Sequence, residues 1–223
     1  MKKYAIIFII VFSFSLLGAC GDKTNYILDI EVEKNVYENQ KITISYPQVT
    51  RLPLSDTINQ TIKEDALSIL NDYSEELENL STEIKYSFEI INEKILSICF
   101  EGFAYVKNAA YPLNSFFTCN IDVSTGKRIT FEDLLEITPD LVEAIKANAR
   151  YLNNEANEEL TTAINQEWNN YNTVRMLEDI KNGNIYVYLK QNSLGISLPV
   201  LHTLGDYANF EVDYKYITHF LKF

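Results

Sequence analysis

Histidine is almost missing from this 223-residue chain, which holds only His202 and His219. They stand seventeen residues apart, with no cysteine or second histidine at helical or turn spacing. A His-rich zinc centre needs about three protein ligands and is not supplied, although carboxylates could complete an unusual one. Glycine is scarce too. Seven glycines form no phosphate-cradling loop, no dinucleotide fingerprint and no Gly-x-Ser-x-Gly elbow, so no cofactor and no metal are expected. Positive charge is short: 19 Lys and Arg face 31 Asp and Glu, for a net charge of −12. That balance argues against nucleic acid and against a polybasic grip on anionic headgroups, because both would repel this surface. It would steer a cationic protein inward, or it serves solubility alone. A membrane-spanning run is also missing. The longest apolar stretch, residues 5–17, is thirteen long, against about twenty needed to cross a bilayer.

That short stretch has a different use. Lys2 and Lys3 precede it, and Leu17-Gly18-Ala19-Cys20 closes it, the pattern of a cleaved lipoprotein signal. Cys20 supplies the sulfur for a thioether to diacylglycerol, and a second acyl chain on the new amino terminus would make anchoring stable. The alternative is an ordinary secretory signal with a chance cysteine. Residues 1–19 are thus assigned to the signal and 20–35 to a lipid-anchored tether. The expected location is the outer face of a cell membrane. Cleavage removes two lysines and no acid, so the mature chain is more acidic still, and its length of about 200 residues suits one large domain or two small ones sharing a core.

Two other cysteines remain, Cys99 and Cys119. An oxidising exterior makes a disulfide worth testing. Leu96, Ile98 and Phe100 alternate with Ser97, Cys99 and Glu101, whereas Cys119 shares its apolar face with Phe117, Ile121 and Val123. In a hairpin with apolar faces aligned the sulfurs point to opposite sides of the sheet; a one-residue bulge would reverse this.

Periodicity orders the rest. Order is expected from about Val36, and residues 41–47 alternate as a strand stopped by Pro47. Ser55 is placed as the N-cap of one long helix whose stripe runs through Ile58, Ile62, Ala66, Ile69, Leu70, Tyr73, Leu77 and Leu80. From Thr82 the period becomes two. An antiparallel meander follows, turning at Asn92-Glu93, at residues 109–112 and at Ser124-Thr125-Gly126-Lys127. Thr130 to Asp133 has capping spacing, and Pro139 opens a helix to about Asn153. A longer polar helix is expected over residues 158–181, ended by Asn182-Gly183-Asn184. Strands are expected at 185–189, 196–201 and 209–214, with 191–195 as a turn and a short helix at the end. Strands flanking a helical middle favour α+β with a mainly antiparallel sheet over alternating βαβ units.

Two chemistries need weighing. Glu89, Glu93, Glu101 and the pair Asp206 and Glu211 offer carboxylates for glycosidase work. The 15 Tyr, 12 Phe and one Trp are explained mostly by strand propensity. Two exposed-looking turns, residues 105–111 and 202–209, are the exceptions, and Tyr105, Tyr111, His202, Asp206 and Tyr207 are the candidate ligand-binding residues. No catalytic residue is assigned.

Two stretches resemble known families. Tyr46-Pro47, the helix after Ser55 and the strand around Phe88 to Phe103 are similar to the domain at the start of the PdaC-type peptidoglycan deacetylases. Phe117-Thr118-Cys119-Asn120-Ile121-Asp122, Thr125-Gly126-Lys127-Arg128-Ile129-Thr130, Asp133-Leu134-Leu135, Leu204-Gly205-Asp206-Tyr207 and Phe210-Glu211-Val212-Asp213-Tyr214 resemble the extracytoplasmic domain of RsiV, the anti-sigma-V factor. The regions are set at 36–114 and 115–223. The resemblance implies an α+β fold and, from the second relative, binding of lysozyme as a signal. A sigma-binding segment, a spanning helix and an appended deacetylase domain are not found, so anti-sigma and deacetylase activities do not carry over. The expected function is non-catalytic binding of a lysozyme-like protein or cell-wall glycan such as peptidoglycan. The alternatives are an enzyme acting on envelope polysaccharide and a structural envelope component.

Overall fold

The computed structural model describes residues 30–152 and 158–222. Cys20 and the leader lie outside them; the Pro139 helix, expected to run to about Asn153, ends at Asn148, and Arg150 and Tyr151 are paired in a strand. β1 (Glu31–Asn39) and β2 (Ile42–Thr50) make a hairpin. β1 therefore begins inside the expected tether, because its charged residues lie at an exposed sheet edge and hide the strand period. The chain then crosses the sheet through α1 (Ser55–Leu67) and α2 (Ile69–Asp72), so that β3 (Leu80–Ile91) pairs parallel with β2 over only three residues. β4 (Ile95–Val106), β5 (Leu113–Asp122) and β6 (Lys127–Arg128) continue as an antiparallel meander, giving a six-stranded sheet in sequence order.

A second unit follows. α3 (Phe131–Leu134), α4 (Pro139–Asn148), β7 (Arg150–Tyr151), α5 (Glu158–Asn170) and α6 (Thr173–Lys181) lead into β8 (Tyr186–Leu189), β9 (Ser193–Pro199), β10 (Tyr207–Asp213) and α7 (Tyr214–Ile217). The four strands form an antiparallel sheet ordered β7-β10-β9-β8. The fold is α+β, as expected. The division placed at 114/115 runs between β4 and β5, which are hydrogen-bonded neighbours; the sheets part after Arg128.

Each sheet buries one face under helices. Ile58, Ile62 and Ala66 of α1 pack on Ile44, Ile98, Phe100, Phe117 and Ile121 of the first sheet. Leu141 and Ile145 of α4, Ile164 and Trp168 of α5 and Met176 of α6 cover Val187, Ile196, Phe210 and Val212 of the second, with the Trp168 and Phe210 rings stacked at 4.1 Å. The remaining faces meet through Cys99, Phe116, Tyr188 and Tyr207. Ile98 stands opposite Cys119 and Cys99 opposite Thr118, so the two thiols lie on opposite faces, free and buried. A bulge does occur at Phe88 and Ile90, but in the β3–β4 ladder, where it leaves the register of β4 and β5 untouched.

Four local expectations need correction. Pro47 does not stop β2, since the parallel pairing with β3 has already ended at Ile44 and no ladder bond is required of it there. The open side beyond is closed from α1: the Asn59 amide accepts from Val49 N and donates to Val49 O, both at 2.8 Å. Ser55 is not the cap of α1; Leu54 holds that position at φ 61, while the Ser55 hydroxyl donates to Leu52 O at 2.6 Å. The one long helix expected is divided at Ser68 into α1 and α2 and is over by Asp72, and the apparent stripe continues by coincidence, Leu77 being exposed and Leu80 starting β3. The expected 158–181 helix is two, because Asn172 Oδ1 accepts from Arg175 N at 2.9 Å and starts α6 afresh. Lys146 meanwhile donates to the carbonyls of Trp168 and Tyr171 at the end of α5.

The last strands are also displaced. β9 includes Gly195, expected in a turn, and β10 begins at Tyr207 rather than Asn209. The Thr130 capping box, Pro139 at the start of α4 and Gly126 at φ 68 in its turn are as the sequence implies.

Candidate functional site

The aligned strands leave a furrow where the ends of β5, β9 and β10 approach the end of α2. Its position follows from a tight loop. Leu201 O accepts from Leu204 N at 2.8 Å, Val200 N donates to Asp206 O at 3.0 Å, and Gly205 and Asp206 take φ 107 and 71. Non-glycine residues are rare at such φ, and a short aspartate is among those that tolerate it. This turn aims the Asp206 carboxylate at the start of β5. Its Oδ2 accepts from Asn114 N at 2.7 Å, and its Oδ1 lies 2.9 Å from His202 Nδ1. Tyr111, from the β4–β5 loop, stacks on the His202 ring with centroids 3.7 Å apart and planes 10° from parallel.

Four of the five candidates from the sequence therefore converge: Tyr111, His202, Asp206 and Tyr207. Tyr105 is not among the residues that line the furrow. It is a half-buried β4 residue facing Ser81 of β3, on the same face as Cys99 and Glu101. The carboxylate pair Asp206 and Glu211 is also separated. Asp206 lies before β10 in a left-handed turn and is held by Asn114 N and His202, whereas Glu211 lies within the strand among other partners. Glu211 is occupied elsewhere: buried, it meets Arg150 Nη2 at 3.0 Å and Lys190 Nζ at 3.4 Å and accepts from the Ser193 hydroxyl. Lys190 also reaches Glu89 at 3.5 Å, tying the two sheets by charge.

The furrow itself holds about 190 Å³. Asp72 and Asp206 stand in its walls with Tyr73, Tyr186 and Tyr207, over Ile69, Phe116, Leu198 and Pro199, and no Lys or Arg lines it. Its field is negative. Burial pushes the Tyr73 phenol above its ordinary range, and the carboxylates of Asp72, Asp206 and Glu76 push it further. Tyr186 is raised by burial and then by Asp72. The phenols stay protonated and available as donors, while the carboxylates accept. Such a site suits a cation with an apolar stem.

Asp72, Tyr73 and Tyr186 were not among the candidates. Tyr73 belongs to the expected helical stripe, and no periodicity or motif singles out Asp72. Tyr186 did carry a signal. In Ile185-Tyr186-Val187-Tyr188-Leu189 the tyrosines alternate with core residues, which places both on the face that the helices do not cover. Among the described residues no three His, Cys, Asp or Glu side chains gather closely enough to hold a metal ion.

No helix among the described residues is long and apolar enough to cross a membrane. No family model and no curated protein matches the chain. Two solved structures are similar in fold. A DUF3298 family protein from Pseudomonas aeruginosa PAO1 superimposes with a TM-score of 0.54 at 11% identity, over 86% of this chain and 94% of that one. A DUF3298 family member from Bacteroides fragilis NCTC 9343 gives 0.51 at 12% identity, over 87% and 94%. At such identities the likeness is one of fold, and the fold of this chain is that of the DUF3298 proteins.

Proposed function

We propose that this chain is a lipoprotein held at the outer face of a membrane through Cys20, and that it captures a cationic, lysozyme-like protein without catalysis. In this reading a PdaC-like first part and an RsiV-like second part together make the DUF3298-type fold. The observation that carries it is the furrow: two aspartates, three tyrosine walls and no basic residue in the lining. Its rim favours a protein surface. Tyr111 is 48% exposed and Leu201, beside His202 in the chain, 62% exposed, the amphipathic and apolar side chains that anchor protein interfaces. The mature chain, more acidic than the −12 of the whole sequence by the loss of Lys2 and Lys3, also attracts a cationic partner over a Debye length of about 10 Å at 0.1 M salt.

The test uses the mature chain with Cys20→Ser, which removes the lipid. It is expected to bind hen-type lysozyme at low ionic strength and to lose affinity as salt is raised. Absence of binding at low ionic strength defeats the lysozyme version. Retention on insoluble peptidoglycan instead transfers the reading to a glycan. Turnover of cell-wall fragments establishes the enzyme in place of the captor.

A further inference from the structure

We infer that the furrow between α2 and the β5, β9 and β10 ends is a receptor for a single arginine side chain projecting from the partner. This rests on the proposed capture of a cationic protein and names the chemistry of its contact. Size is the first constraint. At about 190 Å³ the space is smaller than the roughly 300–1,000 Å³ of sites that enclose a small molecule or cofactor. It accommodates a side chain, and a sugar pair would stand mostly outside.

The lining then selects among side chains. Ile69, Phe116, Leu198 and Pro199 give an apolar floor for an aliphatic stem. Tyr73, Tyr186 and Tyr207 add aromatic rings to the lining, and a planar guanidinium stacks on such rings better than a compact, strongly hydrated ammonium does. Asp72 and Asp206 supply negative charge from the α2 and β10 sides. Asp206 is already fixed in place by Asn114 N and His202, so it acts as a preset field, whereas exposed Asp72 is the carboxylate left to close on the guest. A neighbouring lysine or arginine would cancel this field, and the lining contains neither.

The experiment titrates the mature Cys20→Ser chain with Nα-acetyl-arginine methylamide, the lysine analogue and the neutral citrulline analogue, following backbone amide NMR signals. Arginine is expected to move the amides of Ser115, Tyr186 and Ser197 saturably, lysine several-fold more weakly, and citrulline hardly at all. Asp72→Asn, an exposed and fold-neutral change, is expected to weaken arginine about fivefold and lysozyme at least as much. Equal affinity for lysine and arginine, or no movement at the lining amides, overturns the inference. Lysozyme binding that Asp72→Asn and Tyr186→Ala both leave unchanged also overturns it, while the capture reading stands. Arginine binding without lysozyme binding keeps the inference and removes that partner.

Discussion

Ser97 and Asn120 face each other across β4 and β5, and together they close the open edge of a strand in the other sheet. Ser97 Oγ donates to Asn120 Oδ1 at 2.7 Å and accepts from Leu189 N at 2.8 Å, while Asn120 Nδ2 donates to Val187 O at 2.7 Å. β8 is the last strand of its sheet, so without this pair its outward N–H and C=O would be buried and unmade. Such groups cost far more unpaired than a made bond gains.

Asn120→Ala is therefore expected to destabilise the protein by about 2–3 kcal/mol, since it strands both the Ser97 hydroxyl and the Val187 carbonyl. Urea denaturation measures this directly. A midpoint equal to that of the parent would show that water replaces the amide.

Gly195 tells of a second close fit. It stands opposite Tyr188 in the β8–β9 ladder, and a β-carbon there would fall 2.0 Å from the Tyr188 ring. That ring cannot swing away, being 3% exposed and packed on Phe116 at 5.9 Å. Gly195→Ala should cost about 1–3 kcal/mol by overpacking. Adding Tyr188→Ala should relieve part of it, so the two changes combine to less than their sum in a double-mutant cycle.

This glycine also shows where the sequence misleads. Taken alone it signals a turn, and only the ring lying on it, from a residue seven places earlier, makes it a strand residue. The meander, the buried faces and the opposed cysteines were legible because alternation is local and strong. Helix ends were not, for Leu77 and Leu80 keep a helical spacing without being in the helix, and Asn172 divides a polar helix that has no glycine or proline to mark the break. For the site, two turns were visible as exposed and aromatic, and they do meet through Tyr111 and His202. The third wall, from Asp72 and Tyr73, comes from a segment distant in sequence, and only the crossover between β2 and β3 brings it there.

Cys99 and Cys119 are expected to resist thiol reagents until the protein unfolds. Both are buried, and burial pushes both thiols well above the ordinary range, so little thiolate is present to react. In the Cys20→Ser chain, Ellman's reagent should detect almost no thiol in the native state and both after denaturation. Two thiols reacting at once under native conditions would contradict the packing.

Stability should fall at both ends of the pH range. The Ser124 hydroxyl at Asp122, the Thr130 backbone N–H at Asp133 and the Lys215 ammonium at Asp213 hold these carboxyls below the usual value. Their contributions are complete above the unfolded value of about 3.9 and disappear as pH drops through the lower folded values. On the alkaline side burial raises Tyr188 and Tyr214, the latter to about 12. The stability linked to them is present below the unfolded value of about 10 and is lost as pH climbs towards the folded ones. A plateau between about pH 5 and 9 is expected by far-UV circular dichroism. Part of the tyrosine absorbance change at 295 nm should coincide with the alkaline loss of structure. Ionisation of every tyrosine of the mature chain in a native fold would refute this.

β8 is sealed by side chains, but β1 closes its sheet differently. It is a nine-residue edge strand that carries Glu31, Glu33, Lys34 and Glu38 on a largely exposed course. A second copy adding itself there in parallel register, as a fibre stacks, would set Glu31, Glu33, Lys34 and Glu38 each beside its own like charge, which repels. Crowding many copies of this protein together should therefore leave them as separate molecules rather than fibres.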